Sequence, residues 1–176
     1  MNTCPVADRL HLGCGRKILP GYVNVDVIEA PGVDVVCDLN QGIPFPDDAF
    51  VEVLSVDFIE HIRPDAVIRL MNDVYRVLKP GGLFRVHVPQ APGITAYQDP
   101  THVSFWNEES FTYYEDGHPR RENYGVTYGI HARFRKRSLR RRHHLWQRFF
   151  TTLDLNYLSN CLLDVELVAV KDTPPR

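Results

Sequence analysis

The first third of the chain places ligand-holding residue types at regular stations. Gly13 and Gly15 flank Cys14 directly after the run Leu10-His11-Leu12. Glycines there let the backbone approach a ligand closely. Asp26 closes Tyr22-Val23-Asn24-Val25-Asp26-Val27, where its carboxylate can accept hydrogen bonds from a ribose diol. Asp38 with Leu39 and Asn40 follows Val33-Asp34-Val35-Val36-Cys37, offering a carboxylate to an amino group and an apolar wall to a flat ring. Asp57 follows Val51 to Val56, with Glu60 and His61 just beyond. His61 and His102 are the candidate general bases, because imidazole titrates near neutrality. Asp99 stands beside His102 as a group that could orient it, whereas an unperturbed Asp57 is a weak base. Cys14 has no base implied beside it and reads as a small buried filler.

A glycine turn of this kind is equally a tight strand exit, so it must be weighed with its surroundings. Ile18 stands where a dinucleotide fingerprint places its third glycine. Asp26 also arrives earlier than the roughly 20 residues such a site uses. Both features argue against a nicotinamide-type enzyme.

The elements that would position these groups are read from periodicity. Residues 9–12, 22–27, 33–37, 51–56 and 83–88 read as five strands, each short and rich in β-branched or apolar residues. Residues 64–78 read as a helix: Pro64 suits the first turn, apolar residues recur at helical spacing, and Lys79-Pro80-Gly81-Gly82 stops it. Strands alternating with crossovers predict a mostly parallel sheet, whose ligands collect at the carboxyl ends of its strands. Residues 91–125 lack a sustained period and read as an elaborated acceptor-side loop or lid, with a short helix over 107–114 capped by Asn107. Phe105, Trp106, Phe111, Tyr113 and Tyr114 there could form an acceptor platform, although aromatic clusters are usually core. Residues 128–137 and 164–171 read as two late strands, with 145–161 between them.

The ordered set Leu10-His11-Leu12-Gly13-Cys14-Gly15, Asn24-Val25-Asp26, Asp38-Leu39, Pro44-Phe45-Pro46-Asp47, Asp57-Phe58-Ile59-Glu60-His61 and Leu78-Lys79-Pro80-Gly81-Gly82 resembles the successive motifs of class I S-adenosylmethionine (SAM)-dependent methyltransferases. The resemblance implies a Rossmann-like α/β fold whose late strands form an antiparallel hairpin. It implies that Gly13, Cys14 and Gly15 hold the methionine part of SAM and that Asp26 binds the ribose. Asp38 with Leu39 would meet adenine, and Asp57 would line the site. One departure is plain. Only residues 16–21 separate the glycine turn from the second strand, where a parallel crossover normally needs about a dozen. The first helix is therefore expected to be reduced or absent. That short link, taken with Asp99-Pro100-Thr101-His102-Val103-Ser104-Phe105-Trp106, resembles a bacterial or phage subgroup often tied to glycan or surface-polysaccharide modification.

At 176 residues the whole chain, 1–176, is expected to form one domain. No apolar run reaches the roughly 20 residues that cross a bilayer, and residues 1–8 lack the features of a signal peptide. Cys4, Cys14, Cys37 and Cys161 show neither a disulfide framework nor zinc-like pairing. These features predict a cytoplasmic protein with reduced thiols and no metal.

The net charge of −2 conceals a sorted chain: residues 1–60 carry ten acids against three bases, while 118–148 carry nine arginines and Lys136 against Glu122 alone. If Arg133, Arg135 and Arg137 lie on a strand, alternation puts them on one face, where they could meet an anionic ligand. A solvated basic edge explains the same run. The expected activity is methyl transfer from SAM to a small-molecule or glycan-type acceptor. The alternatives are a SAM-binding module without catalysis, and an RNA-directed protein using the basic segment 133–144.

Overall fold

A computed structural model describes residues 7–143 and 161–171. β1 (Arg9–Leu12) runs parallel to β2 (Val23–Asp26), and β3 (Val35–Val36) extends the sheet beyond β2. β4 (Phe50–Val56) pairs with the other side of β1. α1 (Val67–Val77) then leads back to β5 (Leu78–Pro89), parallel to β4. After α2 (Ile94–Tyr97) and α3 (Pro119–Tyr128) come β6 (Phe134–His143) and β7 (Cys161–Ala169), antiparallel to each other, with β7 antiparallel to β5. The order β3-β2-β1-β4-β5-β7-β6 is the expected Rossmann-like sheet with its antiparallel C-terminal pair.

Alternation places the core on one sheet face. Along β7, Cys161, Leu163, Val165, Leu167 and Ala169 are buried, while the residues between them are half-buried. α1 sets Leu70, Met71, Val74 and Val77 into that core, beside Phe50, Phe84 and Phe134. Each side chain of this size contributes roughly 1.5–3 kcal/mol when fully buried. α1 begins at Val67 rather than Pro64, because a turn on the Arg63 carbonyl precedes it.

The link between β1 and β2 contains no helix, as its length demanded. Buried Asn24 holds it in place. Its Oδ1 accepts from Leu19 N–H (2.9 Å), and its Nδ2 donates to the carbonyls of Leu19 and Tyr22 (both 3.1 Å). Tyr22 then donates its hydroxyl proton to Glu52 on β4 at 2.6 Å. Side-chain hydrogen bonds thus replace the helix that would ordinarily carry this crossover.

Two expectations are corrected. Residues 128–137 do not form a strand throughout: 119–128 is α3, and β6 starts at Phe134. α3 has Pro119 in its first turn and Gly129 at φ 71° after its end, yet Gly125 is its one buried residue. With no apolar stripe, its helical period is silent. Residues 91–125 are likewise more than a loop, since they contain α2, most of α3, and a tight 3-10 helix over Glu108–Tyr114. Asn107 caps that 3-10 helix, accepting from Ser110 N–H at 3.1 Å. Trp106, Phe111 and Tyr114 are core residues, and Phe105 is exposed. The connecting segment expected before Cys161, and His144, lie outside the described residues.

Candidate active site

The carboxyl ends of β1, β2 and β4 meet at one edge of the sheet. Gly13 and Gly15 turn there with φ 62° and 51°, left-handed values that favour glycine. A Cβ on Gly13 would lie 2.0 Å from Cδ2 of Phe58, so the absence of a side chain lets Phe58 pack over the turn. A Cβ on Gly15 would meet nothing within 4 Å, and the backbone there faces open space. Asp26, nearly buried, locks the turn: Gly15 N–H donates to its Oδ2 at 2.7 Å and Ile28 N–H to its Oδ1 at 3.0 Å. Each oxygen keeps a further lone pair for a ligand hydroxyl. Cys14 is buried, and its thiol is pushed up to about 11 by burial first and by Asp26 second, which leaves it inert as a nucleophile.

Asp38 is exposed and caps the 3-10 turn Leu39–Gln41 by accepting from Asn40 N–H at 2.9 Å. Its hydrogen bonds to Asn40 hold its carboxyl below the usual range. Leu39 belongs to the core, 4% exposed. Its side chain anchors the turn rather than presenting the free apolar wall expected of it.

Asp57 has φ 51°, a strained conformation for a residue with a Cβ, of the kind found at ligand sites. Its carboxylate accepts from His87 Nδ1–H at 2.8 Å and faces Lys17 Nζ at 3.7 Å. The hydrogen bond lowers the Asp57 pKa and raises that of His87. His87 was not singled out from the sequence. The available signal was a histidine alternating out of the apolar strand Phe84-Arg85-Val86-His87-Val88, one residue from the strand's final pair. On the same sheet face, Arg85, Arg140, Arg142, Asp164 and Glu166 border an open groove of about 710 Å³.

Beyond β4 the chain folds Glu60, His61 and His102 together. Glu60 is 2% exposed, and neither of its carboxylate oxygens has a hydrogen-bond partner among the described residues. Burial pushes its carboxyl up to about 7. His102 Nε2 lies 4.0 Å from Glu60 Oε1, and the rings of His61 and His102 meet edge to face at 4.9 Å. His102 Nδ1–H donates to the Ala96 carbonyl at 3.0 Å, so this carbonyl orients the ring, while Asp99 Oδ2 stands 4.0 Å from Nε2. His61 Nδ1–H donates to the Thr101 carbonyl at 3.2 Å. Because a carbonyl only accepts, each neutral imidazole carries its free lone pair on Nε2.

The basic run is largely engaged. Arg133 precedes β6 and pairs with Asp116 at 2.8 Å, and Arg137 falls in a bulge and faces Glu166 at 3.6 Å. Strict alternation therefore does not run through Arg133, Arg135 and Arg137 as the sequence predicted. Lys136, Arg141 and Arg142 pair with Glu115, Glu108 and Asp164.

Comparison with known proteins fits this geometry. A family model described as a methyltransferase domain matches residues 20–86. A probable S-adenosylmethionine-dependent methyltransferase from Mycolicibacterium smegmatis is 27% identical over 130 residues, covering 62% of this chain. The match spans 50% of that relative, so the chain accounts for about half its length. A SAM-dependent methyltransferase from Archaeoglobus fulgidus has a similar fold, with TM-score 0.60 and 16% identity over 94% of this chain and 87% of its own. A putative methyltransferase from Bacillus halodurans gives TM-score 0.61 and 15% identity, covering 93% and 92% of the two chains. The open backbone at Gly15 beside the Asp26 carboxylate suits the cofactor this family uses. Over residues 20–86 the chain is thus similar to the methyltransferase-domain family, and its strand order is that of the Rossmann-like fold shared by the solved methyltransferases.

Proposed function

We propose that the chain transfers a methyl group from SAM to a hydroxyl-bearing small-molecule or glycan-type acceptor. The observation that carries this reading is Phe58, which packs on Gly13 and leads directly into the turn Ile59–His61, joining two half-sites. The Gly13–Gly15 turn locked by Asp26 suits the cofactor, and the Glu60, His61 and His102 cluster suits an acceptor with a proton to lose. SAM supplies an electrophilic methyl carbon, whose transfer leaves a neutral thioether. The protein's contribution is alignment, which makes a bimolecular step effectively internal. Asp26 keeps Gly15 in the conformation that opens its backbone to a ligand. The acceptor proton leaves toward the cluster that holds the free Nε2 lone pairs.

The glycan-type acceptor is supported by the short Lys17-to-Asp26 link and the Asp99-to-Trp106 segment, the parts that resemble the polysaccharide-linked subgroup. An RNA acceptor is less favoured, because much of the basic run is already matched to acids within the fold.

Calorimetric titration of the intact chain with SAM tests the cofactor half. Saturable binding is expected, weakened at least about tenfold (1.4 kcal/mol) in Asp26→Ala. Absence of SAM binding by the folded wild type would sink the proposal. Release of S-adenosylhomocysteine with an acceptor panel then separates an enzyme from a binding module.

A further inference from the structure

We infer that Glu60, His61 and His102 form a binding site for one first-row divalent cation of the imidazole-preferring kind, such as Zn²⁺ or Co²⁺. One ligand-capable atom from each residue lies within 4.8 Å of the others. Three independent features make this more than a chance cluster. The first is the Glu60 side chain, 3% exposed, with both oxygens lacking a hydrogen-bond partner among the described residues. A carboxylate taken from water without a partner is costly, and a cation is the kind of group that repays it.

The second feature is the tautomers. Backbone carbonyls of Ala96 and Thr101 take the Nδ1 protons of His102 and His61, which leaves Nε2 of each free to coordinate. A second ring nitrogen fixed by a carbonyl is how metal-binding histidines are ordinarily oriented. Thr101 itself is fixed, because its hydroxyl and its N–H both donate to Asp99 Oδ1, at 2.6 and 2.8 Å.

The third feature is the backbone beneath the cluster. The Glu60 carbonyl accepts from both Val103 N–H (2.9 Å) and Ser104 N–H (3.0 Å), pinning the segment that carries His102 against the one that carries Glu60 and His61. The ligands thus come from two segments joined by backbone hydrogen bonds, a rigid base for a site. Ligand atoms on a tetrahedral Zn²⁺ with bonds of about 2.0–2.1 Å sit roughly 3.4 Å apart, so side-chain rotation would draw the three inward on binding. Two imidazoles and one carboxylate leave coordination positions open, and their softness favours Zn²⁺ or Co²⁺ over Mg²⁺.

What the cation does rests on the methyltransferase reading, whereas whether it binds does not. An acceptor hydroxyl in an open position would be acidified. With both Nε2 lone pairs held by the cation, the imidazoles would no longer take the proton: the O–H bond breaks, the proton passes to solvent water instead of the cluster, and the oxygen is left as the nucleophile.

The test uses untagged intact chain, stripped by chelator and titrated with CoCl₂ and, separately, MgCl₂. One equivalent of Co²⁺ should bind with a visible absorption band characteristic of nitrogen coordination, and Mg²⁺ should not compete. Glu60→Gln, nearly isosteric and free of the buried charge, should weaken Co²⁺ binding at least tenfold, and His102→Ala should shift the absorption band as well. Circular dichroism checks that each variant is folded; if His102→Ala is not, Glu60→Gln alone decides. Wild-type protein that binds no Co²⁺, or variants that bind it as tightly and with the same spectrum, would overturn the inference. SAM titration of the same wild-type sample reads the methyltransferase proposal separately: SAM binding without Co²⁺ removes the cation site alone, and Co²⁺ binding without SAM removes the methyltransferase reading alone.

Discussion

Residue-level chemistry here turns on which polar atoms the fold pairs and which it leaves open. Gly13 and Gly15 have the same backbone hand but different surroundings, so alanine at each separates strain from crowding. Gly15→Ala incurs left-handed strain alone, roughly 1–2 kcal/mol. Gly13→Ala adds a collision with Phe58, 2.0 Å from the added Cβ, and overpacking of this kind typically costs about 1–3 kcal/mol more. Urea unfolding should therefore rank Gly13→Ala below Gly15→Ala, and Phe58→Ala in the same chain should recover part of the difference. Equal midpoints for the two single variants would contradict the packing account.

The Asp57–His87 pair gives a pH signature whose sign follows from its shifts. His87 is raised above its ordinary 6.5, by its hydrogen bond to Asp57 first and by Asp164 among the lesser causes. Its stabilising share is full below 6.5 and is lost as pH rises through the higher folded value. Asp57 is lowered from 3.8, so its share is present above that value and is lost as pH falls through the lower folded one. The pair is strongest in the window between. An NMR titration of the histidine ring protons should place His87 above 6.5, with Asp57→Asn moving it down and Asp164→Asn moving it less. A His87 titration that ignores Asp57→Asn would remove the pair from the account.

At the scale of elements, the helix-free crossover is the most specific feature. The link between β1 and β2 is held by Asn24 through three hydrogen bonds to Leu19 and Tyr22. Asn24→Leu removes them and leaves the partners unsatisfied, at about 1–3 kcal/mol for each group that water cannot reach. Amide hydrogen exchange at residues 17–22 should accelerate in this variant well before global unfolding does. Unchanged protection there would mean that packing, not Asn24, carries the crossover.

β1, β2, β4, α1 and the apolar part of β5 were readable because apolar residues recur in each at strand or helical spacing, although the polar His11 and Asn24 of β1 and β2 are buried as well. The missing first helix followed from chain length alone. α3 was not readable, since it buries almost nothing and its proline and glycine punctuation had no stripe to bound. Within the site, Gly13, Gly15, Asp26 and Asp57 were legible as types placed at strand ends. The pairing of His87 with Asp57, the isolation of Glu60 and the burial of Leu39 depend on distant segments, and no local pattern encodes them.

On the scale of the whole molecule, the sheet divides its labour between two faces. One face carries the apolar core with α1. The other carries Glu52, Arg85 and Glu166 in a chain of contacts of 3.8 and 3.5 Å, bordering the open groove. A charged face tolerates water where an apolar one would invite association. The candidate cofactor edge lies where this sheet ends, and its parts are distant in sequence: the glycine turn, Asp26 and Asp57 reach common ground only in the folded chain. A ligand of that edge must therefore bind the native state and not the unfolded one, and its binding free energy adds directly to stability. At a SAM concentration a hundred times its dissociation constant the gain is about 2.7 kcal/mol. For a chain of this length that corresponds to a rise in Tm of roughly 5–11 °C, by the usual 2–4 °C per kcal/mol. S-adenosylhomocysteine should shift Tm as well, and adenosine alone should shift it less, because it forgoes the contacts of the Gly13–Gly15 turn. Asp26→Ala, weakening SAM at least about tenfold, should lose about half of that shift or more while unfolding cooperatively. A wild-type Tm that stays still at saturating SAM would separate this sheet order from the function it usually carries.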